Sequence, residues 1–218
     1  MRPSDLSSFR WWVYPVLLAV AAFCFDAADR LIRYGPISAG PLDEPAHLAI
    51  AALGLLVVAR FIEAPRRFYV AALIASVAID LDHIPLYLGW LGPGGQRPVT
   101  HSLATVVVFA IAAVASRRHR AVLTGVVVGL LLHFARDIAE GPPGVRMLWP
   151  IQQTAWIAGY WGWLGMTLVF LFAELILGGL KIPRGRRRVF DHPDGHLRPA
   201  AAEPATDSAP STGSVHQG

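Results

Sequence analysis

Cysteine and charge are both scarce in this sequence of 218 residues. The single cysteine, Cys24, lies inside an apolar run and can neither form a disulfide bond within the chain nor build a cysteine-based zinc site. Charged residues make up 16% of the chain, whereas a typical soluble domain carries about 25%. These shortages exclude a disulfide-stabilised domain and indicate that most of the chain does not face water.

Apolar residues, in contrast, make up 54% of the chain and give a mean hydropathy of +0.46. A membrane-spanning helix needs roughly 20 apolar residues. Six runs approach or reach that length: residues 11–25 (extending at most to 31), 46–62, 68–90, 101–116, 121–138 and 156–180. The sequence therefore predicts an all-α fold, a polytopic integral membrane helix bundle of about six transmembrane helices within residues 1–182.

The first apolar run has two interpretations. Arginines precede it and residues 19–22 are small, a pattern that also fits a cleaved signal peptide. Trp11, Trp12 and Tyr14 favour a retained helix, because such aromatic residues gather at membrane interfaces. We therefore expect this segment to be part of the bundle.

The C-terminal segment differs from the rest of the chain. Residues 183–218 are rich in proline, alanine, serine, threonine and glycine without an apolar period, which predicts a disordered tail. Four arginines begin this tail, directly after the last apolar run: Arg184, Arg186, Arg187 and Arg188. We interpret them as a topology anchor; the alternative is that they bind anionic lipids at the membrane surface.

Lysine and arginine are distributed unevenly between the two sides of the predicted bundle. Fourteen of them fall at the N-terminus, in the loops after the second and fourth runs and in the C-terminal segment, whereas four fall on the opposite side. Cytoplasmic segments carry the excess of these residues in membrane proteins. The sequence therefore predicts that both termini are cytoplasmic and that the number of spans is even.

Histidine and acidic residues occur at helix ends that this topology places on the non-cytoplasmic side. Four separate stretches contribute them: Asp43, Glu44 and His47; Asp80, Asp82 and His83; His101; and His133, Asp137 and Glu140. An aspartate at the centre of a membrane helix costs about 2.5–3.5 kcal/mol, so such residues usually face a bundle interior or a cavity and carry function. Imidazole and carboxylate together are ligands of zinc and of manganese- or iron-type ions.

The stretch at residues 80–83 does not fit one face of a regular helix. Asp80 and His83 are three residues apart and share a face, but Asp82 is turned about 200° away from Asp80. Pro85 disrupts the preceding turn, which would allow both carboxylates to turn inward. Otherwise one of them orients a ligand histidine rather than binding the ion itself.

Each member of this group also has an ordinary role without metal. His133 and Asp137 lie four residues apart on one helix face, as a shared site requires, but they also fit a buried hydrogen-bonded pair. The alternatives for the rest are an interfacial residue for His47, a helix-end hydrogen-bond network for residues 80–83, a capping residue for His101, and solvated helix-end acids for Asp43, Glu44 and Glu140.

Three stretches of the sequence resemble motifs of a known family. They are Ile79-Asp80-Leu81-Asp82-His83, Arg97-Pro98-Val99-Thr100-His101-Ser102-Leu103 and His133-Phe134-Ala135-Arg136-Asp137, the last followed by Gly141 and by Leu148-Trp149-Pro150. In this order they are similar to the YdjM-like family of membrane-bound metal-dependent hydrolases, also described as LexA-binding, inner-membrane-associated hydrolases. The resemblance covers residues 47–150 and implies a bacterial-type inner-membrane location. It implies that the metal and catalytic residues are His47, Asp80, Asp82, His83, His101, His133 and Asp137.

The sequence departs from the family pattern at three positions. Ile79 stands where the family has proline, Gln96 where it has the first histidine of an H-R-G-x-T-H motif, and Pro98 where it has glycine. The isoleucine should affect only the local backbone. Gln96 removes a ligand or a proton donor, which weakens the case for two bound ions and for the full activity of the family.

Residues and resemblance together predict metal-assisted hydrolysis. The divalent ion is expected to be zinc, with manganese or iron as alternatives, and to take its ligands from His47, Asp80, His83, His101, His133 and Asp137. Asp82 or Glu44 is expected to act as general base. Arg97 and Arg136 are expected to stabilise an anionic transition state. These arginines favour a phosphoester substrate, and a site near one leaflet favours a lipid.

Two other classes of function remain open. A proton or cation transporter also needs intramembrane acids and histidines, but its polar residues should run through the membrane. Residues 106–115 and 122–132 are almost purely apolar, and no inverted repeat is visible. The third class is a membrane scaffold or regulator with a structural metal. No DNA-binding module is recognisable, so the expected partners are the bilayer and a substrate, without nucleic acid.

Overall fold

The computed structural model describes residues 11–32, 36–88, 98–140 and 144–180. Their helices are α1 (Val13–Ile32), α2 (Pro36–Phe61), α3 (Arg66–Ala78), α4 (Ile84–Tyr87), α5 (Leu103–Ala115), α6 (Arg120–Glu140) and α7 (Gly159–Gly179), and a 3₁₀ turn, Ile79–His83, joins α3 to α4. No β-strand occurs in these residues, although an isolated antiparallel bridge joins Val145 to Trp156. The predicted all-α fold class is confirmed. The predicted disordered tail lies outside the described residues.

The long helices lie where the apolar runs predict membrane segments. Three segments of the described chain are long and apolar enough to cross a membrane: Asp43–Phe61, Arg120–Ala139 and Gly159–Gly179. Leu103–Ala115 is a shorter apolar helix, and its exposed face is formed by valine and isoleucine side chains, as contact with lipid requires. The protein is therefore a membrane protein, and the number of crossings stays a prediction.

Two helix boundaries differ from those that the sequence predicts. Helix α2 begins at Pro36, ten residues before the apolar run that starts at Ala46. The predicted third helix, residues 68–90, is not continuous, because α3 ends at Ala78 and the 3₁₀ turn follows. Pro85 explains this break: proline has no N–H, and its ring clashes with the carbonyl group four residues earlier in an α-helix.

The buried apolar core lies between the helices in three clusters. One joins α1 to α2 through Ala22 and Ile50, and a second joins α2 to α3 through Leu55 and Phe68. The third contains Phe134 and lies between α5, α6 and the segment before α7. The helices thus form one continuously packed unit around α2 and α6.

Helices α3 and α6 approach each other closely because two glycines of α6 face the backbone of α3. A Cβ atom on Gly125 would collide with the backbone oxygen of Phe68, and one on Gly129 would collide with that of Ala72. Small residues spaced by four allow such close approach in membrane helices. One further turn along both helices, the same close approach places His133 beside the backbone oxygen of Ser76.

This close approach predicts that Gly129→Ala destabilises the protein. The new Cβ meets a backbone atom that cannot rotate away, so we expect the free energy of unfolding to fall by about 1–3 kcal/mol. Reversible unfolding in mixed detergent micelles measures the change. The matched control is Gly165→Ala on α7, where nothing lies within 4 Å of the new Cβ. If both variants unfold alike, the close packing of α3 on α6 does not contribute to stability.

A buried ion pair joins α2 to α7 at the end of the bundle opposite His133. Arg60 Nε lies 3.0 Å from Glu174 Oε2, and Arg60 Nη2 lies 2.6 Å from Glu174 Oε1. The carboxylate is fully buried. Charges within membrane segments are tolerated when they pair inside the bundle, as these two do.

Candidate functional site

Four elements deliver the predicted site residues to one end of the bundle, the site end. Helix α2 carries His47, the 3₁₀ turn carries Asp80, Asp82 and His83, the segment before α5 carries His101, and α6 carries His133 and Asp137. The side chains of His47, His101, His133 and Asp137 are fully buried, whereas those of Asp80 and Asp82 are 16% and 22% exposed. The structure thus brings together residues from distant parts of the sequence.

His133 is held in one orientation by the pairing of α6 with α3. Its Nδ1 lies 2.9 Å from the backbone oxygen of Ser76 and donates a hydrogen bond to it, because a carbonyl oxygen can only accept. In a neutral ring the proton is then on Nδ1, and Nε2 presents a lone pair. The ring also stacks on that of His47, with centroids 4.1 Å apart.

His101 lies between two carboxylates. Its Nε2 is 3.0 Å from Asp80 Oδ1, and its Nδ1 is 3.2 Å from Asp82 Oδ2. Asp82 is fixed in turn by Thr100, whose hydroxyl donates a hydrogen bond to Oδ2. Because the two carboxylates approach different nitrogens of one ring, they do not need to share a helix face. A carboxylate behind an imidazole is the arrangement that orients histidine ligands of metal ions.

Four potential ligand atoms converge at the centre of the site: His101 Nε2, His133 Nε2, Asp80 Oδ1 and Asp137 Oδ2. The two nitrogens are 3.2 Å apart. Asp80 Oδ1 lies 3.0 and 3.6 Å from them, and Asp137 Oδ2 lies 3.7 and 3.1 Å from them. Ligand atoms about 2.0–2.1 Å from a tetrahedral zinc ion stand about 3.3 Å apart. The donor types therefore suit a divalent cation, and Asp80 forms one possible ligand group with His101 and His133, while Asp137 forms another with His47 and His133.

Further ligand groups adjoin these four atoms on both flanks. Asp137 Oδ1 faces His47 Nε2 at 3.4 Å on the α2 side. On the other side, His83 Nδ1 lies 2.9 Å from Asp82 Oδ1, and these two residues form a possible ligand group with His101. The cluster thus contains more donors than one tetrahedral ion uses.

Of the residues predicted to move protons or to stabilise an anion, Glu44 lies next to the cluster. Glu44 interacts electrostatically with Asp80 and His47, and its buried Oε2 has no hydrogen-bond partner among the described residues. Arg97 lies outside the described residues, as does the side chain of Glu140.

A second network is centred on Arg136, which the sequence predicts to stabilise an anion, and it includes Asp26, which sequence reasoning missed. Its Nη2 donates to Asp26 Oδ1 of α1 at 3.1 Å and to Asp43 Oδ1 of α2 at 2.9 Å. Asp43 Oδ2 lies 3.5 Å from His47 Nε2, so this acid is part of the site and not a solvated helix end. The sequence does contain a signal for Asp26, because an acidic residue inside an apolar run is by default a candidate functional residue.

Comparison with known families identifies one family for this chain. A family model described as YdjM inner membrane protein matches residues 42–192, more than half of the chain. The chain belongs to the YdjM family. The YdjM match confirms the family that the motifs resemble, and it includes every site element from α2 onward, whereas α1 with Asp26 precedes it. Comparisons with curated proteins and with solved structures gave no match.

Proposed function

We propose that this YdjM-family protein is a membrane-embedded, metal-dependent hydrolase whose His/Asp cluster binds a divalent cation. The observation that carries the proposal is that Asp80 Oδ1 and Asp137 Oδ2 each lie 3.0–3.7 Å from the Nε2 atoms of both His101 and His133. Buried atoms with lone pairs or negative charge repel one another at this distance unless a cation or protons lie between them. Both imidazoles already have an oxygen facing Nδ1, which favours a cation at Nε2.

The donor set indicates which residues would hold the ion. His101, His133, Asp80 and Asp137 are the proposed ligands, with two further histidines next to them. Nitrogen and oxygen ligands of this kind suit zinc, and manganese or iron are the alternatives. A bound divalent ion supplies Lewis acidity, which activates water near neutral pH and polarises the bond to be cleaved.

The remaining groups of the site orient ligands and move protons. The carboxylate of Asp82 and the backbone oxygen of Ser76 set the orientation of the two central imidazoles. Glu44 suits the role of general base, because its carboxyl group interacts with Asp80 and His47 of the cluster. Asp82 is the weaker candidate, since Thr100 already donates to it. Transition-state stabilisation by Arg97 remains part of the proposal.

The proposed location is a bacterial-type inner membrane, with several passes and both termini in the cytoplasm. Arg60, Arg66, Arg67 and Arg120 stand at the helix ends opposite the site end, where the positive-inside rule places the cytoplasm. The cluster would then lie near the non-cytoplasmic leaflet, within reach of a lipid or phosphoester substrate. Contact of the basic segment after α7 with anionic lipids belongs to the same proposal.

Transport of protons or cations is the second candidate function. The observation that favours it is the Arg60–Glu174 ion pair, which places ionisable groups at a second depth of the bundle. Residues 122–132 of α6, between the two depths, are almost purely apolar, and this favours hydrolysis. A flux assay with the protein in liposomes separates the two: a hydrolase gives no metal- or proton-dependent ion flux.

Metal analysis of the detergent-purified protein tests the hydrolase proposal. We expect near-stoichiometric zinc, manganese or iron by mass spectrometry in the wild type. The double variant His133→Ala, Asp137→Ala should lose that metal, because it removes two of the four converging ligand atoms. Hydrolysis of phospholipids or phosphoesters should stop on chelation and return with zinc or manganese.

The control for this experiment is His119→Ala. His119 is exposed at the opposite end of the bundle, where its Nδ1 lies 3.1 Å from Ser116 Oγ. Its loss should leave the metal content unchanged. A wild-type protein without metal even after reloading would contradict the proposal and would leave the cluster a hydrogen-bonding or proton-carrying role.

A further inference from the structure

Arg136 is a buried arginine with hydrogen-bond donors that the described residues do not use. A guanidinium group has five N–H bonds, and the two on Nη2 are directed to Asp26 and Asp43. Nε and Nη1, which carry the other three, have no hydrogen-bond partner among the described residues, and the side chain is almost fully buried. A buried donor without an acceptor is costly, most of all when it is charged. An acceptor therefore belongs beside Arg136.

Trp163 of α7, a neighbour of Arg136, has a fourth such donor. Its side chain is buried, and Nε1 has no hydrogen-bond partner in the described part of the chain. The guanidinium carbon of Arg136 lies 5.9 Å from the centroid of the Trp163 ring, so the two side chains are neighbours inside the bundle. Phe23 contacts the ring edge-on at 4.7 Å, and Tyr160 stacks on it at 5.5 Å. These contacts hold the indole N–H in a fixed direction.

The position and the number of these donors indicate what they bind. Arg136 directly precedes Asp137, and Asp43 contacts both Arg136 and His47, so the donors adjoin the His/Asp cluster. A guanidinium group with free N–H bonds favours an anion with several acceptor oxygens. A carboxylate offers two oxygens, whereas the phosphate group of a monoester offers three unsubstituted ones. Four N–H donors are therefore matched better by a phosphate group.

We propose that Arg136 and Trp163 form an oxyanion subsite that binds the phosphate group of the substrate beside the cluster. The claim that the bound phosphate group belongs to the substrate rests on the proposed hydrolase function. Binding of a phosphate group at this subsite does not itself require a bound metal. The phosphate group can belong to a phospholipid headgroup or to a soluble phosphate ester, because both present the same oxygens.

The test compares wild type with Trp163→Phe, which keeps an aromatic ring and removes only the N–H donor. Both proteins are stripped with chelator, so that phosphate cannot bind through a metal. Inorganic phosphate is titrated by calorimetry, and phosphatidic acid is compared with diacylglycerol in nanodiscs. We expect Trp163→Phe to weaken phosphate binding about tenfold, the usual effect of a lost hydrogen bond to a charged group. Arg136→Gln should weaken it further.

Two exposed residues provide matched controls. Trp161→Phe makes the same chemical change on the same helix, at a side chain that is 79% exposed. Arg67→Gln removes a positive charge at an exposed position on α3. Neither substitution should change phosphate binding. If Arg136→Gln fails to fold, the comparison of the two tryptophan variants still decides the question.

The outcomes separate this inference from the hydrolase proposal. Phosphate binding by the stripped protein that Trp163→Phe weakens supports the subsite. Binding of phosphatidic acid over diacylglycerol then assigns it to a lipid headgroup, and binding of inorganic phosphate alone assigns it to a soluble ester. No binding of either ligand, or equal binding by wild type and Trp163→Phe, overturns the subsite. Zinc content measured on the same preparations tests the hydrolase proposal independently.

Discussion

Substitution of His101 by alanine is expected to abolish hydrolysis and to weaken metal binding by more than about 100-fold, beyond the range seen when only a supporting residue is lost. His101 Nε2 lies 3.0 Å from Asp80, 3.2 Å from His133 and 3.7 Å from Asp137. Its loss therefore removes an atom that borders every other proposed ligand. Competition with a zinc chelator measures the affinity, and turnover of a phosphoester measures the activity.

Asp82→Asn is the graded comparison for this variant. It keeps the imidazole of His101 and removes the charge that faces Nδ1 at 3.2 Å. Loss of such an orienting carboxylate should weaken metal binding by about 10–100-fold. If both variants lose metal equally, Asp82 acts as a ligand and not as an orienting group. Unchanged metal affinity in His101→Ala would show that the ion binds elsewhere.

The largest effect on stability is expected from Glu174→Leu. This change leaves Arg60 buried without the carboxylate that it contacts through both Nε and Nη2. Breaking a buried ion pair by removing one partner costs about 3–5 kcal/mol. The free energy of unfolding, measured by titration of mixed micelles with a denaturing detergent, should fall by that amount. The pair lies at the end away from the cluster, so the metal content of the folded fraction should not change.

The double variant Arg60→Met, Glu174→Leu identifies the cause of the loss. Replacing both charged groups with apolar ones leaves neither charge of the pair inside the bundle, so stability should return to within about 1–2 kcal/mol of wild type. A double variant as unstable as the single one would mean that the cost arises from packing. In that case the ion pair would not explain why the two charges are tolerated inside the bundle.

The membrane helices could be predicted because their signal is local. A run of apolar residues indicates a membrane helix regardless of the helices that pack against it. Helices α6 and α7 accordingly lie close to their predicted bounds. Helix ends depend on more than hydropathy. Helix α2 continues through a polar stretch to Pro36, beyond the apolar residues that marked its predicted start. The break after Ala78 depends on Pro85, whose effect was foreseen but whose 3₁₀ geometry was not.

The site was predictable only in part, for a related reason. Residue type, helical spacing and the shared membrane side pointed to the His and Asp residues of the cluster. The contact of Asp26 with Arg136 spans 110 positions and leaves no periodic pattern in the sequence. The hydrogen bond from His133 to Ser76 depends on how closely two backbones approach, which Gly129 permits but does not by itself reveal.

The graded exposure of the cluster has a consequence for how the proposed metal ion would enter and leave. The side chains of Asp80 and Asp82 are partly exposed, whereas those of His101, His133 and Asp137 are fully buried. An incoming cation would meet the two hydrated carboxylates first and shed its water in stages as it moved inward. A bound cation would leave through the same stages in reverse order. It would therefore stay bound longer than a cation at an open surface site. The metal present when the protein is made, as much as the metal bound most tightly, would then determine which ion it carries.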